Sequence, residues 1–251
     1  MTYCCGILVR DGLVMIADTR TNAGLDNIST FRKLHVFQKP GERVMILASA
    51  GNLSITQSVI GFLQEGVLNP ETGESESIMN APSMFQAAQR VGRAIREVRR
   101  IYGPGLEEDG VKFEASFLFG GQIKGRALRL FMVYAAGNYI ECTVDTPYLQ
   151  IGEHKYGKPI LDRAIKFDTP LNDALKIGLV SMDSTMRSNL GVGMPIDIAV
   201  TPRGDAILQT HYRIEPGEPY FHDLRERWSA ALRKAHMDIP PPPYSGSNVV
   251  K

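Results

Sequence analysis

The chain has 251 residues, 43% of them hydrophobic, with 28 basic against 27 acidic side chains and a formal net charge of +1. That length suits one large domain or two small ones, with room for a sizeable core. The balanced charge gives no argument for nucleic acid, a membrane surface or an acidic partner. No apolar run approaches the roughly 18 residues that a membrane span needs. The start, MTYCCGILVRDG, lacks a basic stretch ahead of its apolar run, so no signal peptide is expected. Cys4, Cys5 and Cys142 make an odd set without metal-type spacing. Neighbouring Cys4 and Cys5 point to opposite faces of a strand, so reduced thiols in a cytoplasmic protein are expected.

Taken in chain order, residues 2–9 are strand-like, Asp11-Gly12 is a two-residue turn signal and Leu13–Ala17 resumes an apolar strand. Asp18–Arg32 is polar and loop-like. Two short strands, Lys33–Phe37 and Arg43–Ala48, flank a Lys39-Pro40-Gly41-Glu42 turn. In Leu53–Gln64 the residues Ile55, Val59, Phe62 and Leu63 recur at helical spacing until Gly66 stops the run, and Asn69–Ser77 is a polar loop. A second helix opens at Ala81-Pro82-Ser83, with Val91, Ile95 and Val98 on one face, and ends at Gly103-Pro104-Gly105. Ala115–Gly120, Ala127–Val133 and Tyr139–Val144 predict an antiparallel meander.

Asp168-Thr169-Pro170 starts a further helix with proline in its first turn, carrying Leu171, Leu175, Leu179 and Met182 on one face. Strands Asp197–Val200 and Asp205–Gln209 then flank a Pro-Arg-Gly turn. A last amphipathic helix spans about Tyr220–His236, with Phe221, Leu224, Trp228, Leu232 and Ala235 inward. Residues 1–239 therefore form one domain, and 240–251 form a proline-rich extended tail. This order excludes a parallel βαβ repeat. It predicts an α+β fold, a four-layer αββα sandwich in which helices cover two antiparallel sheets.

The chemistry gathers at the front. A threonine hydroxyl is a weak nucleophile without a base beside it. An amino-terminal threonine brings one, because its α-amine has an ordinary pKa near 8 and is partly neutral at pH 7. Thr2 follows Met1, and removal of Met1 by methionine aminopeptidase would expose it without a propeptide. Threonine in second place is common, so Thr2 alone carries little. The hairpin brings Asp18 back beside it: with Arg10 paired to Leu13, Asp18 lies opposite Cys5, about three residues of ~3.3 Å each from Thr2. Lys33 heads the next strand. A lysine cation favours the alkoxide-like form of Thr2, and a carboxylate holds the lysine. Asp18 and Lys33 would by themselves read as a surface ion pair. Ser49-Ala50-Gly51 ends a strand before a helix, where a glycine lets its backbone N–H face a ligand closely as an oxyanion donor.

Thr2, Ala17-Asp18-Thr19-Arg20, Lys33 and Ser49-Ala50-Gly51 together resemble the proteasome β-subunit and its bacterial relatives. More closely, MTYCCGILVRDGLVMIADTRTNAG with DNISTFRKLHVFQKPGERV, and later YLQIGEHKYGKPILD, resembles the bacterial proteasome-like family called Anbu, the ancestral beta subunit. The resemblance implies an N-terminal-nucleophile hydrolase fold and a threonine-type peptidase or amidase without a cofactor. Thr2 would be the nucleophile, its amine the base, Lys33 and Asp18 the activating pair and Gly51 the oxyanion donor. It further implies that Thr21 and Asn22 bind an extended peptide as an added strand, and that Leu53 lies at the mouth of an apolar pocket. Family members use an Asp and a Ser after the helix that Leu171–Met186 predicts. Here Met186-Arg187-Ser188-Asn189-Leu190-Gly191 stands there, so Ser184, Ser188 or Asn189 would have to substitute by hydrogen bonding, with Arg20 also supporting the site.

Relatives enclose their sites in rings or open-ring spirals, so a homo-oligomer is expected, acting on peptides or small amides; a partner unfoldase is not specified. Two other readings stand beside the peptidase: a silent structural subunit and an amidase of small amides. Arg90, Arg93, Arg96, Arg99 and Arg100 on one helix predict a solvated face or a subunit contact rather than a nucleic-acid patch. The five histidines show no metal spacing.

Overall fold

The computed structural model describes residues 1–22, 28–69 and 73–244. In chain order, the hairpin β1 (Tyr3–Val9) and β2 (Gly12–Asp18) leads into a short ladder of β3 (Arg20–Asn22) with β4 (Ile28–Thr30), then β5 (Leu34–Lys39) and β6 (Arg43–Gly51). Helix α1 (Leu53–Glu65) follows, then a small ladder of β7 (Val67–Leu68) with β8 (Ser75–Glu76), a 3-10 turn at Ile78–Asn80 and helix α2 (Met84–Glu108). The meander β9 (Ala115–Ile123), β10 (Arg129–Val133) and β11 (Tyr139–Glu141) precedes β12 (Tyr148–Gly152), α3 (His154–Ala164) and α4 (Leu171–Ser188). Strands β13 (Ile196–Pro202) and β14 (Thr210–Ile214) and helix α5 (Pro219–Asp238) close the order.

Two five-stranded antiparallel sheets form the centre, ordered β12-β1-β2-β13-β14 and β11-β10-β9-β6-β5. Cys4, Leu13, Met15, Ile46, Leu118 and Leu130 fill the space between them. The other face of the second sheet carries Met45, Leu47, Phe117 and Phe119, packed against Val59 of α1 and Val91 of α2. On the first sheet's outer face α4 comes so close that a Cβ on Gly178 would stand 2.6 Å from Ile16. Strands β1 and β2 are buried along their whole length, as strands covered on both faces must be. The αββα sandwich foreseen from the element order is the observed architecture.

Several local expectations are corrected. The hairpin turns at Arg10-Asp11, with Val9 paired to Gly12. Gly12 serves a close approach instead: a Cβ there would meet the Thr201 carbonyl at 2.7 Å and Leu171 at 2.8 Å. The polar stretch after Asp18 contains the β3–β4 ladder, and the one before the 3-10 turn contains β8, which pairs with β7 just ahead of that stretch. Helix α2 runs through Gly103-Pro104-Gly105, because Leu106 beyond them packs on the core. Its end is closed by Val111 N donating to Leu106 O at 2.8 Å.

Strand β12 and helix α3 were not foreseen as elements, since Gly157 and Pro159 mask the helical pattern. Asp205–Gln209 is a loop and the strand lies at Thr210–Ile214, because Ala206 is left-handed (φ 49°) and Ile207 turns its carbonyl to Thr201 Oγ1 at 2.7 Å. Helix α4 begins after Pro170, which stands as its N-cap.

The contact pattern divides the chain into Met1–Pro216 and Gly217–Lys251. In the second unit Glu218 caps α5, accepting the N–H groups of Tyr220 at 3.2 Å and Phe221 at 2.7 Å. Phe221 and Leu224 are buried, whereas Leu232 and Ala235, expected inward, are exposed.

Candidate active site

The site is built where β1, β2 and β5 end on the same side. Asp18, 0% exposed, closes β2. Its Oδ1 accepts from Lys33 Nζ at 2.9 Å and from the Tyr3 N–H at 3.0 Å, and its Oδ2 accepts from the Gly193 N–H at 3.2 Å. Burial pushes the Asp18 carboxyl above its ordinary range, against the pull of the Lys33 charge and these hydrogen bonds. Lys33, 5% exposed, also donates to Arg20 O at 2.6 Å and to Met1 O at 3.4 Å. An ammonium has three donors, and all three are engaged.

The same Met1 carbonyl accepts from Thr2 Oγ1 at 2.8 Å. Hydroxyl and ammonium are therefore separated by one shared acceptor. Sequence spacing had set Asp18 opposite Cys5; with Cys4 paired to Ala17, the observed register carries it to Tyr3, directly beside Thr2. Thr2, Asp18 and Lys33 are thus brought together as expected, and more tightly.

Gly51 ends β6 at φ 120°, against the backbone of Glu114, where any Cβ would overlap the Glu114 carbonyl. Two clefts meet at Met1, Thr2, Ala50 and Gly51. One, of about 580 Å3, is lined further by Thr21, Phe31, Lys33, Leu53 and Thr56. The other, of about 510 Å3, is lined by Glu114, Ser116, Tyr134 and Glu153. Thr21 Oγ1 is buried and has no hydrogen-bond partner among the described residues. Asn22 sits in β3 beside Thr21, and its side chain lies outside the described residues.

The supporting residues fall less evenly. Arg20 donates from Nη1 to Leu190 O at 2.9 Å, and its guanidinium packs over Gly193, so it holds the loop that delivers the Gly193 N–H to Asp18. Ser184 Oγ donates to Val180 O at 3.0 Å within α4, and Ser188 is exposed. Among the described residues, neither hydrogen-bonds Thr2 or Met1. Asn189 Oδ1 accepts from the Gly191 N–H at 2.8 Å and shapes the same loop.

Sequence reasoning missed three contributors. Gly193 anchors Asp18. Glu153 N donates to Thr2 O at 2.7 Å, and Gly152 (φ 79°) lets β12 curl against that carbonyl. Beneath Thr2, Tyr3 Oη stands 2.6 Å from Ser181 Oγ and accepts from Gln150 Nε2 at 2.5 Å. The glycine that closes β12 was the one local signal available for any of these. Among the described residues no group of three or more His, Cys, Asp or Glu is arranged to hold a metal.

No family model matches the chain, and neither does any curated protein. Solved structures do. Anbu (ancestral beta-subunit) from Yersinia bercovieri is 47% identical, with a TM-score of 0.86 over 96% of this chain and 98% of that one. The chain belongs to the Anbu family, the proteasome-like bacterial family. A Gly-1 mutant of Anbu from Hyphomicrobium sp. strain MC1 is 46% identical with a TM-score of 0.87, covering 96% of this chain and 99% of that one. The Anbu complex from Pseudomonas aeruginosa, solved as a helical assembly, is 44% identical with a TM-score of 0.88 over 96% and 98%. The resemblance carried by the front of the sequence thus extends over nearly the whole Anbu fold.

Proposed function

We propose that this Anbu protein is a self-assembling threonine-type peptidase whose nucleophile is Thr2, freed as the amino terminus by removal of Met1. The observation that carries the reading is the carbonyl shared by Thr2 Oγ1 and Lys33 Nζ, with Asp18 buried behind the lysine. Removing Met1 takes that acceptor away and leaves the Lys33 charge facing the Thr2 hydroxyl. It also converts the Thr2 nitrogen from an amide to an amine able to take the hydroxyl proton.

The Thr2 oxygen then attacks the substrate carbonyl carbon, and the Gly51 N–H stabilises the resulting oxyanion. The scissile C–N bond breaks, the amine leaves with the proton, and an ester on Thr2 remains. Water hydrolyses that ester, releasing the acid and restoring the hydroxyl. Thr21 and Asn22 would pair with the acyl side of an extended substrate, whose side chain enters the Leu53 cleft. Grooves on both sides of Thr2 favour a peptide over a small amide.

Assembly into a ring or open spiral is supported by the helical assembly solved for the Pseudomonas aeruginosa relative. Cytoplasmic residence is in keeping with the three free cysteines. No described helix is long and apolar enough to cross a membrane. A second reading, a catalytically silent subunit, is favoured by one feature: Ser188 is exposed and Asn189 is spent on Gly191.

Labelling with a peptide epoxyketone, which bonds both the hydroxyl and the free amine, decides between them. Intact mass should show loss of Met1 and one adduct, absent in Thr2→Ala. A retained Met1 or an unlabelled Thr2 would establish the silent subunit instead.

A further inference from the structure

The cleft on the far side of Thr2 has a charge character that the reaction scheme does not use. Its lining includes Glu114 and Glu153 and no lysine, arginine or histidine. Neither carboxylate forms an ion pair or hydrogen bond among the described residues, although twelve ion pairs occur elsewhere in them. Glu42, Glu76, Glu97 and Glu141 each pair with a cation; these two border a cavity.

Their placement follows from the fold. In β9 Leu118 points between the sheets, so Ser116 and then Glu114, two and four residues earlier, lie on that same face as the strand reaches the open edge. Thr2 stands two residues before Cys4, which also points between the sheets. The nucleophile, Ser116 and Glu114 therefore share the mouth of the inter-sheet space. Glu153 reaches that mouth from the first sheet, fixed by its own N–H on Thr2 O at 2.7 Å.

The two clefts join at Thr2 and Gly51. If the acyl part of a substrate lies along Thr21 and Leu53, the departing amine part has the Glu114–Glu153 cleft to enter. We infer that this cleft selects peptides bearing positive charge, lysine or arginine, immediately after the scissile bond. The inference rests on the Thr2 reading for the direction of the substrate, while the charge preference belongs to the cleft itself. An acidic residue there would face two unneutralised carboxylates, and like charges at close quarters cost binding.

The test separates the cleft from the chemistry. Thr2→Ala protein, full length, is titrated by fluorescence polarisation with dye-labelled peptides of sequence Ala-Ala-Leu followed by Lys-Lys, Ala-Ala or Glu-Glu. Cationic peptide should bind roughly tenfold more tightly than neutral and neutral more tightly than acidic, as expected of partly screened charge pairs. The preference should shrink as salt is raised.

Adding Glu114→Gln and Glu153→Gln should bring the three peptides within about twofold of one another. Glu114→Gln alone, at an exposed position, should remove part of the preference and guards against a double variant that fails to fold. Equal binding of the three peptides, no measurable binding of any, or a preference that survives both substitutions overturns the inference. A charge preference in binding without hydrolysis by the unmodified protein would leave the cleft assignment standing and sink the Thr2 reading.

Discussion

Asp18 accepts the backbone N–H of Tyr3 at 3.0 Å with the same oxygen that holds Lys33. One carboxylate oxygen therefore ties the ammonium to the strand that carries Thr2. The Lys33 charge and the backbone beside Thr2 are fixed by a single atom.

That atom makes the pair a structural keystone. Asp18→Ala leaves the Lys33 ammonium buried without its carboxylate, and should cost about 3–5 kcal/mol. Denaturant unfolding checks this. Replacing both residues, as Asp18→Leu with Lys33→Met, should be less destabilising than Asp18→Ala while abolishing epoxyketone labelling. A double variant less stable than the single would refute the assignment of the cost to an unpaired charge.

Gly51 should tolerate no side chain. With φ at 120° and the Glu114 carbonyl in the way, Gly51→Ala must move the backbone of β6 or β9. A cost of roughly 1–3 kcal/mol is expected from the strain, together with an activity loss of about 10²–10³-fold if its N–H is the oxyanion donor. Hydrolysis rates and melting curves measured side by side distinguish the two effects.

Tyr3→Phe removes the hydroxyl that Ser181 Oγ approaches at 2.6 Å and to which Gln150 donates. Both partners stay behind, and the change should cost about 1–3 kcal/mol. Gly157→Ala should be worse, since its Cβ would overlap Ser181 Oγ and the Tyr3 hydroxyl. Both variants should lower stability more than they alter peptide preference, which thermal melts and the binding series report separately.

The thiols offer a pH test. Burial pushes Cys5 and Cys142 up to about 12, and raises Cys4 well above its ordinary value. The folded protein should not react with a thiol reagent at pH 8, and unfolding should release all three cysteines. Because the unfolded thiols ionise first, the folded state binds more protons between their ordinary value near 9 and about 12. Stability contributed by the buried thiols is complete below that window and should fall as pH rises through it. A melting temperature unchanged from pH 9 to 11 would refute this.

The sequence by itself determined the layer architecture, because apolar periods of two and of about 3.6 residues are local and survive in any context. It also singled out Thr2, Asp18, Lys33 and Gly51, each of which sits where a strand begins or ends. Local signals failed where a residue serves a distant neighbour. Gly12 looked like a turn glycine but makes room for Thr201 and Leu171; Gly157, which masks the helical pattern of α3, makes room for Ser181 and Tyr3.

Only the tertiary structure decided the finer site. Gly193, 175 residues from Asp18, completes the carboxylate's hydrogen bonds with a backbone N–H, a donor that every residue but proline owns and no side chain announces. Glu153 meets Thr2 through its main chain for the same reason. Side-chain chemistry can be read along the chain; which backbone groups and unpaired carboxylates surround it depends on how β12 and the loop after α4 pack back against β1.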